Sequence, residues 1–364
     1  MRIAQLAPTF ERVPPATYGG TELVVSLVTE ELVRRGHRVT LYASGDSETA
    51  AELRSITPRA VRYGEIVDGV RHAEYFQLVN AQACFVDAEA GEFDIVHNHA
   101  GLEGLVLGAT STTPVLTTNH NPYLPATRPA WDAYPWAHNS LSTASAATFP
   151  TAGAVAPILH GIDVESFPFG ERPAGDLLFL GRFSPEKGAD RAIEAARLAG
   201  RRLVLAGKAD AVDAAHFAEV IEPQIDGDLI RYVGEVDGAQ KRRLLADARA
   251  LLFPIEWDEP FGLVMIEAMA CGTPVIGLRR ASVPEVVDPG VTGFVVDDVQ
   301  GLVRAIDHAD GIDRRACRRR AEERFGVGRM VDDYERTFAE VIESAAGERE
   351  VRQPVGCAAP PSAR

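Results

Sequence analysis

Lysine is absent from the first 168 residues, where 10 Arg stand against 18 acidic residues. Over all 364 residues Lys plus Arg number 37 and Asp plus Glu 52, a formal net charge of −15. So little positive charge repels a phosphate backbone or an anionic bilayer, which excludes nucleic acid as a partner and argues against stable membrane association. Cysteine is also scarce. Cys84, Cys271, Cys317 and Cys357 lie far apart with no paired spacing, so spacing supports neither a zinc site nor a disulfide framework. Reduced thiols in a cytoplasmic protein are the expectation. No run approaches the roughly 18 apolar residues of a membrane span, and the opening MRIAQLAPTF lacks the apolar stretch of a signal peptide. No internal sequence repeat is visible.

What is present is ordinary for a globular protein, 46% apolar and 24% charged, with a length that suits two domains. The segment 2–7 reads as an apolar strand and is followed by a loop rich in Pro and Gly. Residues 21–35 read as a helix stopped by Gly36, and 37–43 as the next strand. Further strands read at 94–97 and 114–118, near Leu141, and at 154–159, while 44–75 reads as loop with short elements. The second half alternates more cleanly. Strands read at 177–180, 203–206, 229–233, 250–253, 274–277 and 293–296, with helices at 189–199, 211–225, 239–248 and 260–271 between them. Short apolar strands alternating with helices predict an α/β protein built on parallel sheets. Periodicity lapses over 160–176, and the two domains are placed at 1–168 and 169–325. Helix then continues to about 346 through an Arg-dense patch at 314–324, and 347–364 reads as a disordered tail.

Two such domains facing each other place a ligand in the cleft between the C-terminal ends of their strands. In the first domain, Gly19 and Gly20 precede a helix, where backbone N–H groups can approach an anion. Taken alone, the pair is equally a tight turn capped by Thr21. In the second domain, Gly181–Gly188 (GRFSPEKG) sets Arg182 and Lys187 beside a Gly turn, which suits a diphosphate. The segment 257–273 starts a helix at Pro260, with Glu259 just before it and Glu267 about two turns along. Backbone N–H groups at Phe261, Gly262 and Leu263 would face a phosphate held above that start. A carboxylate within a mostly apolar helix needs partners, and a sugar diol offers two donors.

These segments resemble the retaining glycosyltransferases of the family 4 type. The matching residues are GGTE at Gly19–Glu22, GRFSPEKG at Gly181–Gly188, EPFGLVMIE at Glu259–Glu267 and PEVVDPGVTGFVV at Pro284–Val296. The resemblance covers nearly the whole chain and is tightest in the second half. It implies the GT-B fold, two facing Rossmann-like domains with parallel sheets and an inter-domain cleft. It also implies a helix at 326–346 crossing back to the first domain. By resemblance, Gly19 and Gly20 lie at the donor diphosphate, and Arg182 and Lys187 bind it and stabilise its charge as it leaves. Glu259 would bond the donor sugar's hydroxyls, with Phe261, Gly262 and Leu263 in backbone contact nearby, and Glu267 would hold the ribose diol. The base would lie against 232–236, at Val233.

His120, in TTNHNP, matches the histidine that the family places beside the donor sugar, and with Arg182, Lys187 and Glu259 it completes the implied catalytic set. His97 reads as core, His99 as a candidate for the acceptor side, and His160 stands where relatives often have Asn. The resemblance implies no metal and no cofactor beyond the nucleotide-diphosphate sugar, with a UDP-sugar placed ahead of a GDP-sugar. The first half contains no Asp-x-Asp motif, and 297–298 reads as a helix start. No carboxylate stands near His120 in sequence, so front-face attack assisted by the leaving phosphate is expected. The acceptor is expected to be a hydroxyl of a soluble small molecule or saccharide. A sugar phosphorylase, a nucleotide-sugar epimerase and a non-catalytic nucleotide-sugar binder are the alternatives on a similar scaffold.

Overall fold

The computed structural model describes residues 1–17, 19–63, 73–173 and 175–352. In the first half, β1 (Arg2–Leu6), β2 (Arg38–Tyr42), β3 (Glu52–Arg54), β4 (Ile95–Asn98), β5 (Val115–Thr118) and β6 (Ala137–Asn139) form one parallel sheet. Its helices are α1 (Gly20–Arg34), α2 (Ala73–Glu89), α3 (Gly101–Gly108), α4 (Arg128–Asp132) and α5 (Thr143–Ala146). In the second half, β7 (Leu177–Leu180), β8 (Leu203–Ala206), β9 (Ile230–Tyr232), β10 (Ala250–Phe253), β11 (Val275–Leu278) and β12 (Gly293–Val296) form another. Its helices are α6 (Ala189–Leu198), α7 (Ala214–His216), α8 (Gly238–Asp247), α9 (Leu263–Ala270), α10 (Val283–Val286), α11 (Val299–His308) and α12 (Arg314–Phe325). The long α13 (Val327–Arg352) follows.

Strands β5, β8 and β10 are buried at every residue, as expected of a sheet covered on both faces. The two sheets share one topology, β3-β2-β1-β4-β5-β6 and β9-β8-β7-β10-β11-β12. Strand order therefore reverses beside β1 in one sheet and beside β7 in the other. Loops leaving the strands at such a reversal splay apart and open a crevice.

The chain crosses between domains twice, at one place. Ile162 N–H donates to Phe325 O at 2.8 Å, and Val327 N–H donates to Ile162 O at 3.0 Å. The backbones lie so close that a Cβ on Gly161 would stand 2.7 Å from Gly326 O. Past this point α13 returns to the first domain. Met330, Val331, Tyr334 and Phe338 share a core with Val24, Val28 and Leu32 of α1. Arg35 reinforces the seam by pairing with Asp332 at 2.7 Å and with Glu335.

Several sequence expectations need correction. The stretch 154–159 forms no strand, only an isolated bridge from Ala154 to His138, and the strand expected near Leu141 ends at Asn139. The segment 211–225 is not one helix but a succession of short turns that includes a π-helical turn over Phe217–Ile221. Pro223, which cannot donate a helical hydrogen bond, falls in the last of them. The helix expected at 260–271 begins only at Leu263, because Gly262 at φ 83° cannot continue a right-handed helix. Helix persists to Arg352, beyond the start expected for a disordered tail, and the remainder of that tail lies outside the described residues.

Candidate active site

The crevice between the sheets is a cleft of about 500 Å³. Its second-domain wall is charged. The loop after β7 delivers Arg182 and Lys187, and the loop after β10 delivers Trp257 and Glu259. Lys187 Nζ bonds to Glu259 Oε2 and stands 4.7 Å from the centre of the Trp257 ring. Trp257 Nε1–H donates to the same carboxylate oxygen at 2.8 Å, so two donors and a ring face fix Glu259 and Lys187 together.

Glu267 is almost wholly buried, and Lys241 Nζ from α8 donates to its Oε1 at 2.6 Å. Because α9 starts at Leu263, Glu267 is only one turn into the helix and not two. Arg182 faces Glu186 at 3.3 Å and Asp213 at 3.6 Å. The chain has just three lysines, Lys187, Lys208 and Lys241, and all three line this cleft.

Two helix starts meet across the gap. A Cβ on Gly20, the first residue of α1, would lie 3.5 Å from Leu263 Cδ1, and Leu263 is the first residue of α9. Gly19 caps α1 at φ 152°, and a Cβ there would stand 2.7 Å from Pro15 Cβ, so only glycine fits. The cap is therefore Gly19, so the alternative of a turn capped by Thr21 does not hold. The N-terminal ends of α1 and α9, each the positive end of a helix dipole, converge across the cleft.

The first-domain wall carries the imidazoles of His120 and His160, with Asp163 as its acidic lining residue. His120 Nε2 lies 2.8 Å from His99 Nδ1, and His99 Nε2 lies 3.1 Å from both His97 Nδ1 and Gln5 Oε1. The His160 ring stacks on His120 at 5.4 Å and meets the Phe261 ring from the other domain at 5.2 Å. Burial pushes His97, His99 and His160 well below the ordinary histidine range and His120 down to about 3. All four are neutral.

Of the residues singled out from sequence, Gly19, Gly20, His120, Arg182 and Lys187 line this one cleft. So do Glu259, Phe261, Gly262, Leu263 and Glu267. His99 does not. It is buried and touches His120 without lining the cleft. Val233 is also off the lining. Its N–H donates to Leu205 O at 3.0 Å, which extends the β-ladder, and the cleft is met instead by Glu235, Val236 and Gly238. His97 is fully buried. Lys241 and Lys208 were not foreseen from the sequence. A lone lysine in a polar stretch looks like surface, and the available signal was the scarcity of lysine in an arginine-rich chain. Among the described residues, no group of three or more His, Cys, Asp or Glu is placed to hold a metal ion.

Two family models match the two halves: Glycosyltransferase Family 4 over residues 18–161 and Glycosyl transferases group 1 over 174–309. The chain belongs to the family 4 glycosyltransferases. It is 34% identical over 224 residues to a glycogen synthase of Mycobacterium tuberculosis, covering 56% of this chain and 51% of that one. The chain spans about half the length of the first curated relatives it matches. AviGT4, a glycosyltransferase involved in avilamycin A biosynthesis, superposes with a TM-score of 0.74 at 25% identity, covering 94% of this chain and 98% of that one. HepE of Anabaena, solved with UDP and glucose, superposes with a TM-score of 0.71 at 20% identity, covering 93% and 100%. The architecture of this family 4 member is the GT-B fold.

Proposed function

We propose that this family 4 member is a retaining glycosyltransferase, a hexosyltransferase that moves a sugar from a nucleotide-diphosphate donor to a hydroxyl acceptor without a metal ion. The observation that carries this reading is the Lys187–Glu259–Trp257 cluster, set beside Arg182 where two helix starts meet. Departure of the diphosphate breaks the bond from the anomeric carbon to its leaving oxygen and builds negative charge there. Arg182, Lys187 and the N–H groups of α1 and α9 are the chain's own groups for that charge. Glu259, already oriented, takes sugar hydroxyls. Glu267 has acceptor sites left beyond the one Lys241 uses, enough for a ribose diol.

Retention follows if the acceptor oxygen attacks from the face the diphosphate leaves and passes its proton to the departing phosphate oxygen. The neighbours of His120 favour that route, since Asn121, His99 and His160 include no carboxylate to form a covalent intermediate. UDP is placed first among nucleotides, in line with the HepE complex. A soluble acceptor suits a first domain with so few basic residues, and three buried free thiols suit the cytoplasm.

The test is thermal unfolding with UDP, GDP, TDP and ADP, each with and without Mg²⁺. A ligand at about 100 times its dissociation constant adds roughly 2.7 kcal/mol, a visible shift. The expected result is a metal-independent shift with one diphosphate that disappears in Glu267→Ala. No shift with any of the four would overturn the reading.

A further inference from the structure

His97 and His99 have no part in the chemistry just described, yet with His120 they form one connected chain. Its polarity can be followed atom by atom. Asn139 donates through Nδ2 to Ser140 O at 3.3 Å, which turns its Oδ1 toward Thr118. Thr118 Oγ1 donates its single proton to that oxygen at 2.8 Å. Its two lone pairs are left for His97 Nε2, also at 2.8 Å, and for the Tyr334 hydroxyl at 3.3 Å, so His97 donates from Nε2. A neutral imidazole has one N–H, which leaves His97 Nδ1 as an acceptor. That atom lies 3.1 Å from His99 Nε2, which must be the donor, and Gln5 Oε1 at 3.1 Å accepts from the same N–H. His99 Nδ1 is therefore a lone pair, and His120 Nε2 donates to it across 2.8 Å.

We infer that Thr118, His97 and His99 form a relay that fixes His120 as its Nε2–H tautomer and leaves His120 Nδ1 as an acceptor for a donor-sugar hydroxyl. That the hydroxyl belongs to a donor sugar rests on the transferase reading. The tautomer itself follows from the free protein. Burial of all four rings keeps each neutral, with one N–H apiece. Packing holds the far end still. The His97 ring lies 4.6 Å from the ring of Tyr334 and 5.1 Å from that of Phe338, both on α13. His97 and His99 are thus positioning residues. They turn His120 into a hydrogen-bond acceptor that reads a hydroxyl and has no proton to give from the atom it presents.

The experiment uses the full chain, labelled with ¹⁵N-histidine, without ligand at pH 7. Long-range ¹H–¹⁵N correlation spectra report which ring nitrogen carries the proton. The His120 signals are assigned by their loss in His120→Asn. The expected pattern for His120 is a protonated Nε2 and a bare Nδ1. His99→Phe removes the acceptor and should move His120 toward a mixture of tautomers. His99→Asn, whose Oδ1 replaces the lost nitrogen, should restore the wild-type pattern. A proton on Nδ1 in the wild type overturns the relay, and so does a folded His99→Phe protein with an unchanged His120 spectrum. The wild-type spectrum needs no variant, so a His99→Phe chain that fails to fold leaves the test intact. Failure of every nucleotide in the thermal titration would remove the transferase reading and leave the tautomer standing.

Discussion

The two walls of the cleft treat acidic side chains in opposite ways. On the second-domain wall the part-buried Glu259 and the buried Glu267 each have a lysine, Lys187 and Lys241. On the first-domain side, Glu22 lies under the Gly19 turn, where a Cβ on Gly19 would stand 3.0 Å from its Oε2. Among the described residues no cation pairs with it, and burial with Glu11 nearby raises its carboxyl to about 7. The first wall thus offers mainly backbone and neutral rings, with Asp163 its one acidic lining residue among the described residues, while the second is organised around fixed ion pairs. On the transferase reading, the charged wall suits the diphosphate, common to all donors, and the neutral wall suits an acceptor that differs from enzyme to enzyme.

The sharpest way to break this contrast is to remove a cation from the charged wall. Lys187→Ala is expected to lower turnover about 10²–10³-fold, the range for deleting one donor aimed at developing charge. Its melting temperature should stay close to wild type, because the side chain is part-exposed at the cleft. Near-normal turnover in a steady-state assay would defeat the assignment.

The next largest effect concerns the acid on the neutral side. The folded carboxyl of Glu22 titrates near 7 against an ordinary 4.5, so the folded state favours the protonated form. Its contribution is fully present below about 4.5 and is lost as pH rises through 7. Ionising this buried group costs about 3 kcal/mol at most. Glu22→Gln should therefore gain stability on wild type between pH 5.5 and pH 8.5 in denaturant titrations. Parallel pH profiles for the two proteins would show that the group is not isolated from charge.

The smallest expected effect separates packing from ligand contact. A Cβ on Gly20 meets nothing closer than ordinary van der Waals distance in the free protein. Gly20→Ala should then hold or raise the melting temperature by the few tenths to 1 kcal/mol typical of such replacements. Affinity for the stabilising diphosphate should nevertheless fall roughly tenfold, as expected when a backbone approach is obstructed at a helix start. Unchanged affinity by calorimetry would move the anion away from α1.

Legibility in the sequence followed the same division. In the second half, β7, β8, β10 and β12 coincide with the apolar runs read from sequence, because each is a short apolar strand, buried or half-buried, bounded by turn residues. The helix α2 escaped notice. Tyr75, Leu78, Val79 and Val86 are exposed while Cys84 and Phe85 are buried, so its apolar residues occupy both faces and no single stripe marks it. Helix α3 was missed for the same reason, with Leu102 and Val106 exposed and Leu105 buried. The Gly-rich loops and glutamates of the site were readable as local motifs. The lysine partner of Glu267 was not, because α8 and α9 are brought together only by the fold. The histidine chain combines residues from β4, β5 and the loops that follow, and no spacing along the chain announces it.

The paired crossings at Ile162 and Gly326 impose a mechanical condition on whatever the cleft does. Two strands that cross side by side and are tied by backbone hydrogen bonds behave as one pin. Sliding one half along the other would stretch both crossings and break those bonds. Rotation asks only for small dihedral changes in a few residues. Any opening of the jaws is therefore steered onto an arc about that pin, and each closure brings Leu263 back to the same place above Gly20.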